Sequence, residues 1–290
     1  MKWIQKYALI LALCMATISG TTFLTTGLLT QHLFASDLLF WRFLIATLVV
    51  FLIFRDFKNI TVPEVKSSFI LGLFITLGCN FLAYGLSLTD SSRGAIITAA
   101  SILTVLLGEF VLRKKWPSLL LSTLWLCVFV SLFLATHFHF GSFQKADPFL
   151  ILGSISFGAY ALYASRIPQE CRVKVLAWGQ CAATTLFSGL LSLILFQKIQ
   201  LPPDLFSWTA ILWLALGATV MRYTLQIFIQ QWMSASELGL IFVLEPVVAL
   251  LLGFWIEKTI LNPTQWLGIV LLLIFSQISR KKLHLELNKS

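Results

Sequence analysis

Most of the chain is divided into ten long, mostly apolar stretches that are separated by short polar connections. A helix needs about 20 mostly apolar residues to cross the hydrocarbon core of a membrane. Hydrophobic residues make up 58% of the chain and charged residues 11%, a balance that a soluble domain of this size cannot bury. We therefore predict an all-α integral membrane protein whose ten transmembrane helices lie at about residues 7–30, 36–54, 67–87, 93–112, 117–136, 147–165, 173–196, 207–231, 236–256 and 262–279.

The basic residues are distributed unevenly among the predicted connections. If the first residue is cytoplasmic, 15 of the 21 lysines and arginines fall in cytoplasmic segments, four fall in outer loops, and Arg42 and Arg222 lie inside helices. Cytoplasmic loops of membrane proteins carry such an excess. We therefore predict a multi-pass protein of a cell inner membrane with both termini cytoplasmic, a eukaryotic organelle membrane being the alternative. Because topology accounts for most of the +9 charge, we predict no nucleic-acid partner.

The ninth stretch contains the sequence LEPVVALLLGFWIEK, which begins at Leu244 and places Glu245 and Pro246 inside an apolar helix. An ionisable side chain within the membrane is costly and marks a functional site by default. Proline lacks a backbone N–H and leaves the carbonyl near residue 242 without its helix partner, so we predict a helix bend at Pro246.

Arg222, Gln226 and Gln230 lie on one face of the eighth predicted helix, at i, i+4 and i+8. The eighth and ninth helices should be antiparallel and joined near Ser234, which follows Arg222 by 12 residues and precedes Glu245 by 11. The two charges should therefore reach a similar depth and form a pair. Two interpretations stay open: a substrate cavity that contains Arg222, Gln226 and Glu245, or a purely structural ion pair.

Hydroxyl groups are concentrated on the first predicted helix, in two neighbouring stripes that make one broad face. We predict that Thr21 and Thr25 of this face border a substrate cavity. The alternative is that these hydroxyls bond to carbonyls of their own helix, where small residues allow close packing. The two stripes consist of Thr17, Thr21 and Thr25, and of Thr22, Thr26 and Thr30.

Two further helices contribute candidate cavity residues. Arg42, in the second helix, either extends outward, for example towards Asp37, or faces the cavity and meets an anionic group. Tyr160 shares a face of the sixth helix with Ser156 and Tyr163, and an aromatic ring with a polar tip suits an organic ligand.

A weak internal match appears when the sequence is shifted by half its length. It aligns Ser91 to Gly94 with Ser236 to Gly239, and Leu106 to Gly108 with Leu251 to Gly253. We therefore predict two five-helix halves, residues 1–145 and 146–290. Because five is odd, the second half should have the opposite orientation in the membrane. Inverted repeats of this kind occur in many secondary transporters, with the substrate site near the midplane.

Several of these features together resemble the drug/metabolite transporter superfamily, EamA-type. They are the Phe40-Trp41-Arg42-Phe43 sequence, the Ser-Ala-Ser-Glu-Leu-Gly sequence at residues 234–239, Leu244-Glu245-Pro246 followed by Leu252-Gly253 and Glu257, and the layout of two five-helix halves. The resemblance covers essentially the whole chain. It implies substrate transport across a membrane, and the family's substrates include amino acids, nucleotide-like metabolites, sugars and drugs. One departure is that Ala100-Ser101 replaces Glu-Pro in the first half.

A carrier is the predicted class, a secondary transporter that works by alternating access. We predict no enzyme, because the sequence shows no catalytic His-x-x-x-His, Asp-pair or Gly-x-Ser-x-Gly pattern. No cofactor or metal site is predicted, since neither the five cysteines nor the four histidines have metal-ligand spacing. A gated channel and an exporter of drugs or other metabolites remain the alternatives.

The partners that we predict are the lipid bilayer and a small organic substrate, and the sequence leaves open a homodimer. Two arginines and one glutamate beside hydroxyls and aromatic rings suit a zwitterion. Amino acids and amino-acid-like metabolites, including S-adenosylmethionine, fit this chemistry.

Overall fold

The computed structural model describes residues 2–55, 57–113, 118–136, 143–256, 258 and 262–287, and these residues form helices and connections without a β-strand. The helices are α1 (Lys2–Leu29), α2 (Ala35–Phe54), α3 (Val62–Leu86), α4a (Ser91–Ala99), α4b (Ser101–Arg113), α5 (Leu119–Thr136), α6 (Asp147–Ala164), α7 (Val173–Phe196), α8a (Leu205–Ala215), α8b (Leu216–Met221), α8c (Arg222–Gln230), α9a (Ala235–Phe242), α9b (Leu244–Ile256) and α10 (Pro263–Leu287).

Described helix lies in each of the ten predicted ranges. When the parts of α4, of α8 and of α9 are each taken together, seven helical stretches of the described residues are long and apolar enough to cross a membrane, and Leu119–Ala135 is a shorter apolar helix. The chain is therefore an all-helical, multi-pass membrane protein. That all ten stretches cross the membrane stays a prediction.

Large apolar side chains cover the outside of the helix bundle. Trp255 is 79% exposed, and Ile194 is 75% exposed. Such surfaces suit lipid chains, which are as apolar as the side chains themselves. Because lipid and protein interior are equally apolar here, the buried polar side chains are the candidates for a functional site.

Two of the long helices that the structure describes are interrupted, and a third contains an irregular turn. Helix α4 breaks at Ala100, and helix α9 breaks at Val243, three residues before Pro246. This break lies at the end of the turn that precedes Pro246, and the bend of the helix at Pro246 stays a prediction. A proline in the first turn of α9b needs no helix donor, because the first N–H groups of a helix have no partner in any case. Helix α8 is continuous but contains the π-helical segment α8b.

The helix neighbours occur in matched pairs. Helix α1 packs on α9b, and α6 packs on α4b; α3 packs on α6, and α8 packs on α1; α3 packs on α7, and α8 packs on α2. Helices α2 and α7, α4a and α9b, and α5 and α10 also pack on one another. If five is added to each helix number and the count returns to one after ten, the first six contacts exchange with one another and the last three pair the same two helices again.

Charged and polar side chains join the two halves near the helix ends. Arg93 at the start of α4a donates to both oxygens of Asp147 at the start of α6, from Nε at 2.9 Å and from Nη2 at 2.7 Å. Ser236, in the first turn of α9a, donates its hydroxyl to Glu109 of α4b. Each contact attaches the first part of an interrupted helix to the other half of the chain.

Candidate functional site

A cavity of about 60 Å³ lies between the two interrupted helices, α4 and α9, and the helices that pack on them. Its walls come from α1, α4, α6, α8 and α9, with Leu82 of α3 at one side. Its polar lining residues are Ser19, Thr22, Thr98, Ser101, Tyr160, Arg222, Tyr223, Gln226 and Glu245. The cavity therefore collects polar groups from both halves of the chain.

Arg222 and Glu245 form an ion pair in this cavity, with Nη2 of the arginine 3.2 Å from Oε1 of the glutamate. Both side chains are mostly buried, with 16% and 11% of their surfaces exposed. The guanidinium also lies over two aromatic rings, 5.4 Å from the centre of Tyr223 and 5.2 Å from that of Phe242. Arg222 and Glu245 are close to each other, as their similar depth in the sequence-based prediction indicated. Each charge limits the cost of burying the other.

The break in α9 explains why a carboxylate is placed at residue 245. Glu245 lies in the first turn of α9b, where the helix dipole favours negative charge. The break thus gives Glu245 two sources of positive potential, the start of α9b and the guanidinium of Arg222. An uninterrupted helix would provide only the second.

Close contacts of glycines hold both interrupted helices against their neighbours. A Cβ at Gly20 of α1 would lie 2.5 Å from Val248 Cβ and 2.9 Å from the backbone oxygen of Glu245. A Cβ at Gly158 of α6 would lie 2.5 Å from Thr104 Cβ and 3.0 Å from the backbone oxygen of Ser101. The same kind of contact therefore occurs beside the break in α9 and beside the break in α4.

Several polar atoms in the cavity wall have no hydrogen-bond partner within the described part of the chain. They include Nε of Arg222, Oε1 of Gln226 and Oγ1 of Thr98. Tyr160, by contrast, donates its hydroxyl to Oε1 of Gln180 at 3.1 Å. A buried polar group without a partner costs free energy, so these three atoms are available to water or to a ligand.

The hydroxyl stripe that faces the cavity differs from the predicted one. Ser19 and Thr22 line it, whereas Thr21 and Thr25 do not. Thr21 donates to the Ile18 carbonyl at 2.7 Å and accepts a bond from Nε1 of Trp213 at 3.0 Å. Thr25 donates to the Thr21 carbonyl at 3.0 Å. Both threonine hydroxyls therefore bond to carbonyls of their own helix, which is the alternative interpretation of this face. One residue of helix rotates a side chain by about 100°, which separates the two stripes.

Arg42 also lies outside the cavity lining. It is 3% exposed and contacts α8b rather than Asp37, donating from Nε to Oγ1 of Thr219 at 2.6 Å and from Nη2 to the Ala218 carbonyl at 3.1 Å. Arg42 thus neither extends to the surface nor faces the space beside Glu245.

Of the predicted site residues, Tyr160, Arg222, Gln226, Glu245 and Pro246 lie together in the cavity lining. The cavity lining also contains Thr22, which lies on the predicted hydroxyl face of α1, and residues that were not predicted: Ser19, Thr98, Tyr223 and Phe242. The internal match gave a signal for Ser101, because it places Ala100-Ser101 opposite Glu245-Pro246. Among the residues that the structure describes, no group of three His, Cys, Asp or Glu side chains is placed to hold a metal.

A family model and two relatives match the chain over most of its length. The model of the EamA-like transporter family matches twice, at residues 6–137 and 144–277. A protein of Archaeoglobus fulgidus described as an uncharacterized transporter is 26% identical over 219 residues, which make up 73% of this chain and 67% of the relative. A solved crystal structure with 18% sequence identity has a TM-score of 0.74 and covers 95% of this chain and 98% of its own, which supports the fold. The chain belongs to the EamA-like transporter family.

Proposed function

We propose that this protein is a secondary transporter that moves a small organic metabolite through the Arg222–Glu245 cavity by alternating access. The observation that carries the proposal is the cavity itself, which places an ion pair and unpartnered polar atoms between two interrupted helices. Interrupted helices in corresponding positions of two halves are a feature of transporter binding sites.

The proposed arrangement is ten spans in two inverted halves, residues 1–145 and 146–290. It is supported by the two family matches, one in each half, and by the matched helix contacts. The similar glycine contacts at the two helix breaks support it as well. Both termini are proposed to be cytoplasmic, in a cell inner membrane, on the basis of the charge bias.

The size of the cavity is consistent with a conformation that is closed at both ends. A volume of about 60 Å³ is well below the roughly 300–1,000 Å³ of sites that enclose organic ligands. In the proposed topology α4a covers the outer end, where Arg93 contacts Asp147, and α9a covers the inner end, where Ser236 contacts Glu109. Transport would open one of these contacts at a time.

We favour a zwitterionic substrate, which carries both a carboxylate and a cationic group. Amino acids are examples, and so are amino-acid-like metabolites such as S-adenosylmethionine. Arg222 would receive the carboxylate, and Glu245 would receive the cationic group. The rings of Tyr223 and Phe242 beside the guanidinium would contact an organic side chain. An amino acid with an uncharged side chain keeps the charge balance of the cavity when it lies between the paired charges. S-adenosylmethionine, whose sulfonium adds a positive charge, and a singly charged drug would each alter that balance.

The test is uptake of labelled amino acids and of S-adenosylmethionine into liposomes that contain the purified protein. The proposal predicts saturable uptake that accelerates when unlabelled substrate is present inside. Uptake that rises linearly with concentration and ignores the internal substrate would favour the channel alternative. Saturable uptake of uncharged or purely cationic compounds only would contradict the zwitterion.

A further inference from the structure

We propose that Arg42 is a positioning residue, which holds the π-helical segment α8b and thereby aims Arg222 and Gln226 into the cavity. The role of Arg42 in transport rests on the proposed function, whereas its effect on α8b rests only on the contacts of Arg42.

The placement of Arg42 calls for an explanation because the side chain is buried at 3% exposure. Within the described part of the chain no carboxylate lies within 4.0 Å of its guanidinium. An arginine inside a membrane protein is costly and is retained where it has a role. Its described hydrogen bonds go to two successive residues of α8b, Ala218 and Thr219.

The second bond lies at the irregular turn itself, on the backbone carbonyl of Ala218. In a regular α-helix the Arg222 N–H would donate to the Ala218 carbonyl, four residues earlier. In this chain it donates to the Thr219 carbonyl instead. The Ala218 carbonyl accepts from Nη2 of Arg42 at 3.1 Å. The guanidinium therefore stabilises the irregular turn that ends at Arg222.

The first bond acts on the same turn. Thr219 accepts from Nε of Arg42 at 2.6 Å and donates its hydroxyl to the Leu214 carbonyl at 2.8 Å, five residues earlier. A π-helical turn contains one residue more than an α-helical turn. The hydroxyl thus connects the two ends of this widened turn, and Arg42 fixes the hydroxyl.

The extra residue determines which side chains of α8c face the cavity. It rotates everything after it by about 100° relative to α8a. With the turn in place, Arg222 and Gln226 line the cavity. If α8 became a regular α-helix, Met221 would take the direction of Arg222, and Leu225 would take that of Gln226. Met221 and Leu225 would then lie where Arg222 and Gln226 now line the cavity, and Arg222 would take the direction of Tyr223.

The test measures the rotation of α8c directly. A cysteine is introduced at position 225 or at position 226, and its reaction with methyl methanethiosulfonate is followed by peptide mass spectrometry. Because this method measures each site separately, the native cysteines need not be replaced. The ratio of the reaction rate at 226 to that at 225 is compared in Arg42→Gln, Thr219→Val and otherwise wild-type backgrounds. Thr219→Val keeps the side-chain volume and removes only the hydroxyl.

Two matched controls make the same chemical changes elsewhere. Arg55→Gln removes an arginine at the end of α2 whose Nε bonds to the Leu52 carbonyl of its own helix. Thr209→Val removes an exposed hydroxyl of α8a that bonds to the Phe206 carbonyl. Neither control should change the ratio of the two rates.

The inference predicts that Arg42→Gln and Thr219→Val each lower the ratio several-fold and reduce substrate flux. An unchanged ratio in either variant, purified as a monodisperse protein, would overturn the inference. So would failure of both variants to fold, because Arg42 would then serve folding alone. A lowered ratio with normal flux would uphold the positioning and would contradict the proposed substrate site.

Discussion

Arg222 of α8c and Glu245 of α9b form an ion pair across the cavity, with Nη2 and Oε1 3.2 Å apart. The arginine follows a π-helical segment, and the glutamate follows a helix break. Two local irregularities of the backbone thus bring opposite charges to one cavity.

Removal of one charge of the pair should destabilise the protein strongly. Glu245→Gln leaves the Arg222 guanidinium buried without a carboxylate, and breaking a buried pair costs about 3–5 kcal/mol. Combining Glu245→Gln with Arg222→Gln should restore most of this stability, because no charge is left alone. Thermal unfolding of the two single variants and the double variant in detergent measures the effect. Normal stability of Glu245→Gln alone would show that the pair is not needed.

The stripe of α1 that faces the cavity should be the one that transport requires. Ser19→Ala and Thr22→Val remove hydroxyls that line the cavity, so they should lower flux and leave the melting temperature near that of the wild type. Thr21→Val and Thr25→Val are matched controls on the neighbouring stripe and should transport normally. Uptake into liposomes at equal protein content provides the measurement. The reverse pattern would restore Thr21 and Thr25 as the cavity stripe.

Gly20 should tolerate no side chain. In Gly20→Ala the new Cβ would lie 2.5 Å from Val248 Cβ, and overpacking of this kind costs about 1–3 kcal/mol. Gly27→Ala is the matched control on the same helix, because its Cβ would have no atom within 4 Å; alanine there should keep or raise stability by up to about 1 kcal/mol. Equal melting temperatures for the two variants would contradict the close approach of α1 to α9b.

Orientation can be measured by labelling cysteines in intact cells. Pro203→Cys lies between α7 and α8a and should react with a membrane-impermeant maleimide from outside. Asn59→Cys lies between α2 and α3 and should react only after the membrane is opened. Both positions are exposed, so access depends on the side of the membrane. Labelling of residue 59 in intact cells would contradict the charge-based topology.

The sequence predicted the positions of the helical stretches and the Arg222–Glu245 contact, because hydropathy and equal chain lengths from Ser234 determine both. It did not predict which face of α1 is buried. Lipid is as apolar as the protein interior, so the usual contrast between a polar and an apolar face is missing. Thr21 and Thr22 therefore looked equivalent until the helices were packed.

The irregular helix segments differ in how far the sequence indicates them. The break in α9 lies beside Pro246, where a missing backbone donor gives a signal in the sequence. The break at Ala100 and the π-helical segment before Arg222 have no proline and depend on tertiary contacts. Arg42 illustrates this dependence, because its partners Ala218 and Thr219 are brought to it only by the packing of α8 on α2.

The most direct test of the central claim is exchange of a substrate by the Arg222→Gln, Glu245→Gln double variant. A thermal-shift screen on the wild-type protein first identifies a ligand among amino acids and related zwitterions. Exchange of that labelled ligand across liposome membranes is then measured for both proteins. A substrate site at this pair predicts rapid exchange by the wild type and none by the double variant, although it is folded. Equal exchange by the two proteins would show that the pair is only structural and that the substrate binds elsewhere.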